Sequence, residues 1–147
     1  MNARFDNDGF KKTARNLSVA ILLTNAEGRI TWTNPAFKKL CGYSLKEIVG
    51  RKPGSFLQGP DTDSETIAEM HHNMVNRRYS QVEVLNYHKK GHPYWASISI
   101  DPCFDGNGKL EGHVGVAQDI SKKKFEIDQM EQDLVALYST LLNECAQ

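Results

Sequence analysis

His71 sits in "TIAEMHHNMV", where Ile67, Met70, His71 and Met74 recur at i, i+3, i+4 and i+7. On a helix that spacing puts the imidazole on the apolar face, with His72 about 100° round from it and nearer water. A neutral imidazole on an apolar wall can ligate a haem iron; more simply, it is a core histidine met by a backbone carbonyl, or one at the edge of a pocket. Other reactive groups are sparse. Asp61, Asp63 and Glu65 precede and enter the same helix, where carboxylates suit the N-terminal dipole and a cap; a calcium loop needs more ligands at fixed offsets. "GRKPG" at 50–54 lacks the Gly-Lys-Ser/Thr end of a phosphate-cradling loop. No Ser-His-Asp order and no paired catalytic carboxylate stand out, so no catalytic residue is assigned and the chain reads as a non-enzyme. His88, His92 and His113 fall near turns or on strand surfaces with no Cys or His at ligand spacing. No metal is therefore expected, unless His71 holds a haem.

Cys41, Cys103 and Cys145 are odd in number and widely spaced. That suits a reducing cytoplasm and argues against a disulfide framework or a zinc site. Eighteen basic residues balance eighteen acidic ones, so no global field draws the chain to nucleic acid or to an anionic membrane. Lys122-Lys123-Lys124 is a short cationic run and reads as a solvated helix start. The N-terminal "MNARFDNDGFKK" has no apolar core of a signal peptide, and no apolar run approaches the ~20 residues of a membrane span.

The elements that would position these groups can be read from periodicity and punctuation. Phe10, Ala14 and Leu17 predict a short amphipathic helix over 9–17. Strands 19–24 and 29–33 flank the turn Asn25-Ala26-Glu27-Gly28. Asn34 can cap a helix that starts with Pro35 and ends at Gly42; Ser44 and Glu47 form a capping box for a second, closed by Gly50. The stretch 51–63 reads as loop, and Asp63 or Ser64 caps a helix over about 64–77. Three period-two segments follow, "SQVEVLNYH", "PYWASISIDP" and "LEGHVGVAQDIS", around turns at 89–91 and 105–108. Strands, short helices and more strands predict an α+β domain: a five-stranded antiparallel sheet with helices on one face. The tail differs. Ile127, Met130, Leu134, Leu137 and Leu141 step by 3, 4, 3 and 4, a heptad seam that either packs back on its own domain or pairs as a parallel homodimer coil. The seam runs past the expected edge of the globule, which favours the homodimer.

Three motifs together, "NPAFKKLCGYSLKEIVGRKPGSFLQGPDTD", "NYHKKGHPYW" and "GVAQDIS", resemble PAS domains in order and spacing, and within them the LOV (light-oxygen-voltage) branch. The resemblance covers about residues 9–121. It implies an N-terminal cap helix over 1–17, a PAS sensor domain over 18–121 and a C-terminal signalling and dimerisation helix over 122–147. It further implies a cytoplasmic sensor whose output domain, of kinase, cyclase or chemoreceptor type, is another part of the protein.

The resemblance also implies site residues. A LOV photoreceptor carries Asn-Cys-Arg-Phe-Leu-Gln in the loop, and its cysteine forms an adduct with photoexcited FMN. Aligned on Phe56-Leu57-Gln58, the cysteine position is Gly54, the arginine position Ser55 and the asparagine position Pro53. Glycine has no sulfur, so the resemblance is to a LOV-like domain without a photoadduct. Asn86 in "VLNY" matches the asparagine that hydrogen-bonds the flavin pyrimidine edge, and an amide offers both donor and acceptor. The next family asparagine is Ala96. The family glutamine falls on Ala117, with Gln118 one residue late and so turned to the other face of its strand. The arginines that hold the FMN phosphate read Ser55 and His71. The pattern is similar to PAS redox sensors that bind FAD, which keep the residues at Asn86 and, in the aerotaxis type, Trp95. The expected site is therefore Gly54, Leu57, Gln58, His71, Asn86, Trp95 and Gln118. FAD is favoured over FMN; haem or another small ligand on His71, or a ligand-free dimerisation module, are the alternatives.

Overall fold

The computed structural model of the chain describes residues 8–146, so the first seven residues of the expected cap 1–17 lie outside the described part. Its elements are α1 (Asp8–Ala14), β1 (Ala20–Asn25), β2 (Ile30–Thr33), α2 (Pro35–Cys41), α3 (Leu45–Ile48), α4 (Gly54–Leu57), α5 (Ser64–Val75), β3 (Ser80–Tyr87), β4 (Pro93–Phe104), β5 (Leu110–Asp119) and α6 (Ser121–Cys145). The five strands form one sheet in the order β2-β1-β5-β4-β3, every neighbouring pair antiparallel. The α+β architecture expected from the order of elements is the one observed.

Local chemistry explains the boundaries. The Asn34 side chain accepts from Phe37 N–H at the start of α2, Pro35 fills the first turn, and Gly42 closes the helix at φ 84°, where a side chain would be strained. The Glu47 carboxylate accepts from both the backbone N–H and the hydroxyl of Ser44. Asp63 accepts from the N–H and hydroxyl of Thr66 to start α5. Two expectations shift. α1 ends at Ala14, and only Ala14 of its stripe is buried; Phe10 and Leu17 stay exposed. The loop 51–63 contains a helical turn, α4, anchored by buried Phe56 and Leu57, with Phe56 edge-on to Tyr43 at 4.9 Å.

The sheet separates two apolar layers. On one face Ala20, Phe37, Cys41, Ile48, Phe56, Leu57 and Ala117 pack with Leu22 and Ile98, beneath α2–α4. On the other, Ala14 of α1 packs with Ile21, Leu23, Trp32, Val114 and Val116. The inner layer is incomplete, and the gap is the cavity described below. β1 and β5 pair so closely that a side chain at Gly112 has no room: an added β-carbon would overlap the Thr24 carbonyl oxygen. Because the obstacle is backbone, Gly112→Ala is expected to destabilise the fold by about 3 kcal/mol in urea unfolding. A change below about 0.5 kcal/mol would show that the strands part easily at this point.

Candidate functional site

The unfilled part of the inner layer is a cavity of about 490 Å³, within the range of small-molecule and cofactor sites. Its floor is the sheet: Leu22 and Thr24 of β1, Asn86 of β3, Tyr94, Ile98 and Ile100 of β4, and His113, Gly115 and Ala117 of β5. α2 contributes Phe37 and Leu40, α4 contributes Gly54 and Leu57, and α5 contributes Ile67, Met70, His71 and Met74. Apolar side chains dominate, with a few polar groups among them. No cysteine lines it among the described residues. Cys41 is buried in the adjoining core, and burial pushes its thiol up, which keeps it protonated and unreactive.

Strand alternation decides which expected residues reach this space. Asn86 does: it is 3% exposed and pairs across the sheet with Tyr94. Gly54, Leu57 and Gln58 do as well, because Phe56 and Leu57 fix α4 against the core and bring its first residue and the Gln58 amide to the wall. The loop beyond is tied down: Thr62 Oγ1 donates to Leu85 O at 2.7 Å, and Asp61 N–H donates to the Tyr87 hydroxyl at 3.0 Å. His71 borders the cavity but is an exposed residue of α5, at the rim rather than inside a dry wall.

Trp95 and Gln118 do not reach the cavity. Each sits one residue from an inward position, Tyr94 and Ala117, so both face the opposite side of the sheet. Gln118 instead borders a polar groove with Gln81, Glu83, Ser97 and Lys124. Trp95 joins the sheet to α6. Its backbone N–H donates to Ser121 Oγ at 2.8 Å, its carbonyl accepts from Ile120 N–H at 2.9 Å, and the Lys124 ammonium stands 4.5 Å from its ring centre. Lys124 is also 3.0 Å from Glu83 Oε1.

Four lining residues were missed in the sequence. Tyr94 is buried; burial pushes its phenol above the ordinary value, partly offset by the neighbouring Asn86 amide, and no hydrogen bond of ordinary geometry reaches its hydroxyl among the described residues. His113 is 3% exposed, not on a strand surface as expected, and its Nε2 has no partner among the described residues. Both share the inward parity of their strands, Tyr94 with Ala96 and His113 with Ala117, and that signal was present in the sequence. Lys52 and Arg77 add two cations to the lining. Arg77 follows α5 in the left-handed region at φ 56°, the one described non-glycine residue with positive φ, and such strain gathers at functional sites. The orphaned polar atoms, the amide pair and the apolar walls fit a flat, partly polar cofactor.

The model of the PAS domain family matches residues 18–122. The chain belongs to the PAS family. Its similar proteins include blue-light receptors, which supports a likeness to the LOV branch. Blue-light-activated histidine kinase 1 of Erythrobacter litoralis is 34% identical over 115 residues, covering 76% of this chain and 32% of the kinase. Phototropin-2 of Oryza sativa subsp. japonica is 35% identical over 99 residues, covering 67% of this chain and 11% of the phototropin. Among solved structures, an RNA-binding light-oxygen-voltage receptor superposes with a TM-score of 0.78 at 25% identity, over 86% of this chain and 36% of the receptor. The PAS domain of a protein from Colwellia psychrerythraea gives 0.68 at 28% identity, over 78% and 96%. The chain spans about a third or less of the length of these curated relatives. No described helix is long and apolar enough to cross a membrane.

Proposed function

We propose that this PAS domain is the sensory module of a cytoplasmic signal-transduction protein. It holds a flavin non-covalently, FAD in preference to FMN, and passes the flavin's redox or light state to an output domain through α6. The observation that carries the reading is Asn86: an amide 97% buried, on the floor of a cavity large enough for a cofactor, among apolar walls. The relatives named as blue-light-activated kinases support a flavin and a kinase-type output. The absence of cysteine from residues 50–63 supports binding without an adduct.

A bound flavin supplies blue-light absorption and electron-transfer chemistry. The protein's own residues bind and orient it. The Asn86 amide offers one donor and one acceptor to the polar ring edge, and Gln58 brings a second amide to the wall. Leu57, Ile98 and Met70 enclose the apolar part and exclude water. Ala96 and Ala117 stand where the family has further amides, so ring recognition rests on fewer polar contacts. Ser55 and His71 replace the family's phosphate arginines, whereas Lys52 and Arg77 bring cations from other positions to meet phosphate groups. Haem on His71 is favoured less, because that ring is exposed. A ligand-free scaffold is favoured less, because the interior is not filled.

The relay follows from the alternation of β4. Tyr94 lies in the cavity wall, and the next residue, Trp95, is bonded to both Ile120 and Ser121 at the start of α6. A shift of the β4 backbone at Tyr94 therefore acts directly on the root of a helix about 37 Å long. That helix carries an exposed apolar stripe, and we assign it to a parallel homodimer coil continuing to the output domain.

The test is an absorption spectrum of the protein after reconstitution with flavin. The expected result is the structured blue band of protein-bound oxidised flavin; a Soret band after haem supplementation, or no colour with either cofactor, overturns the reading. In the flavin-loaded protein, Asn86→Ala is expected to weaken binding about 5- to 150-fold, the cost of leaving a buried polar edge unmatched. Fluorescence titration checks this, and unchanged affinity removes Asn86 from the contact.

A further inference from the structure

His113 is a buried polar group that the fold does not fully satisfy. Its ring lines the cavity and is 3% exposed. Nδ1 lies 3.3 Å from Thr24 Oγ1, and the Thr24 hydroxyl donates its own hydrogen to Asn25 O at 3.0 Å. The hydroxyl oxygen is thus left to accept, which places the ring proton on Nδ1 and a lone pair on Nε2. Burial pushes the imidazole below its ordinary value, opposed by the Asn25 backbone, so the ring is neutral at pH 7. Nε2 is then a buried acceptor with no donor among the described residues. Nearly all such atoms in folded proteins find a partner.

The position matters as much as the chemistry. Asn86 pairs with Tyr94 of β4, and His113 pairs with Pro102 of the same strand. Along β4 the two points are eight residues apart, roughly 26 Å at the usual rise. They mark opposite ends of the cavity floor. Among the described residues Thr24 is the side chain that hydrogen-bonds the ring, and its hydroxyl is bonded to Asn25 O; Glu27 and Arg77 also line the cavity, and neither is within hydrogen-bond reach of Nε2. An isoalloxazine engaged at Asn86 is far too short to reach it.

We propose that His113 is a second recognition point of the cavity, whose Nε2 accepts a hydrogen bond from an O–H or N–H on the extended part of the ligand. This rests on the flavin reading for the identity of that part. A ribityl hydroxyl, common to all flavins, and the adenine amino group, present in FAD alone, both supply the donor. The two sources predict different outcomes.

The experiment compares wild type, His113→Phe and His113→Gln in the full 147-residue chain. Dissociation constants for riboflavin, FMN and FAD are read from quenching of flavin fluorescence, and thermal midpoints are read without ligand. His113→Phe is expected to bind at least about tenfold more weakly. His113→Gln, which keeps an acceptor, stays within about threefold of wild type. Without ligand, His113→Phe melts no lower than wild type, because it removes an orphaned polar atom and leaves the Thr24 hydroxyl bonded to Asn25. Loss with all three flavins supports a ribityl contact; loss with FAD alone supports an adenine contact. Wild-type affinity in the phenylalanine variant overturns the proposal, as does a glutamine variant as weak as the phenylalanine one. So does a lower melting point of ligand-free His113→Phe, which would make the imidazole part of the fold. If wild type binds none of the flavins, the flavin reading fails, and the ligand-free melting comparison still decides whether His113 serves the fold.

Discussion

Asn34→Ala is expected to lower stability by roughly 4 kcal/mol or more, enough to leave much of the chain unfolded at 37 °C. Asn34 is 2% exposed, and all of its amide is used. Oδ1 accepts from Ile21 N–H at 2.9 Å and from Phe37 N–H at 3.1 Å. Nδ2 donates to Ala14 O and Val19 O, both at 2.9 Å. One side chain thereby fastens the end of α1, the start of β1 and the first turn of α2, on both sides of the sheet. Alanine loses the helix cap and takes a partner from four backbone groups in a place water reaches poorly; Phe37 N–H keeps Asn34 O at 3.1 Å and Ala14 O keeps Leu17 N–H at 3.3 Å, whereas Ile21 N–H and Val19 O lose their side-chain partner outright. Urea unfolding followed by circular dichroism checks the size of the effect. Asn34→Asp, which keeps the acceptor and loses the donor, should fall between alanine and wild type. A loss below about 1 kcal/mol for alanine would mean that these backbone groups find other partners.

Leu134→Asp is expected to halve the mass of the protein in solution and leave the melting of the sensor domain unchanged. Leu134 is the middle residue of a stripe whose members Ile127, Met130, Leu134, Leu137 and Leu141 are between 44 and 66% exposed on the single chain. From Phe125 onward every described residue of α6 is exposed, and the described hydrogen bonds between the helix and its own domain are at its root, to Trp95, Asp119 and Glu83. Three heptads of uncovered apolar surface are marginal as an isolated helix and stable as a pair. A carboxylate in the centre of that seam must be desolvated or must break it, at a cost of several kcal/mol. Light scattering at micromolar concentration reads the outcome. A dimer that survives the substitution, or a wild type already monomeric, removes the coil.

How much of this was legible in the sequence depended on how local the determining physics is. Caps, turns and strand existence are settled within a few residues. Asn34 before Pro35, the Ser44–Glu47 pair, Asp63 before α5 and the Asn107-Gly108 turn could therefore be read directly. Asn86 was legible for a different reason: the resemblance of "VLNY" to the family motif singled it out, and local physics did not. The turn α4 was not, because Gly54 and Ser55 are weak helix formers. It is tertiary burial of Phe56 and Leu57 that holds it.

Strand alternation gave relative positions only. Alternation alone requires that Tyr94 and Trp95 point opposite ways, as do Ala117 and Gln118, since successive side chains on a strand must. Which of each pair meets the cavity was decided by what covers the two faces: α2–α5 enclose one, and α1 with the root of α6 lie against the other. Trp95 therefore left the expected site for the joint with α6. Tyr94 and His113 entered it, joined by Lys52 and Arg77 from the chain segments flanking α4 and α5. The reason is that burial is a property of two surfaces meeting, and the second surface comes from residues far away in the chain.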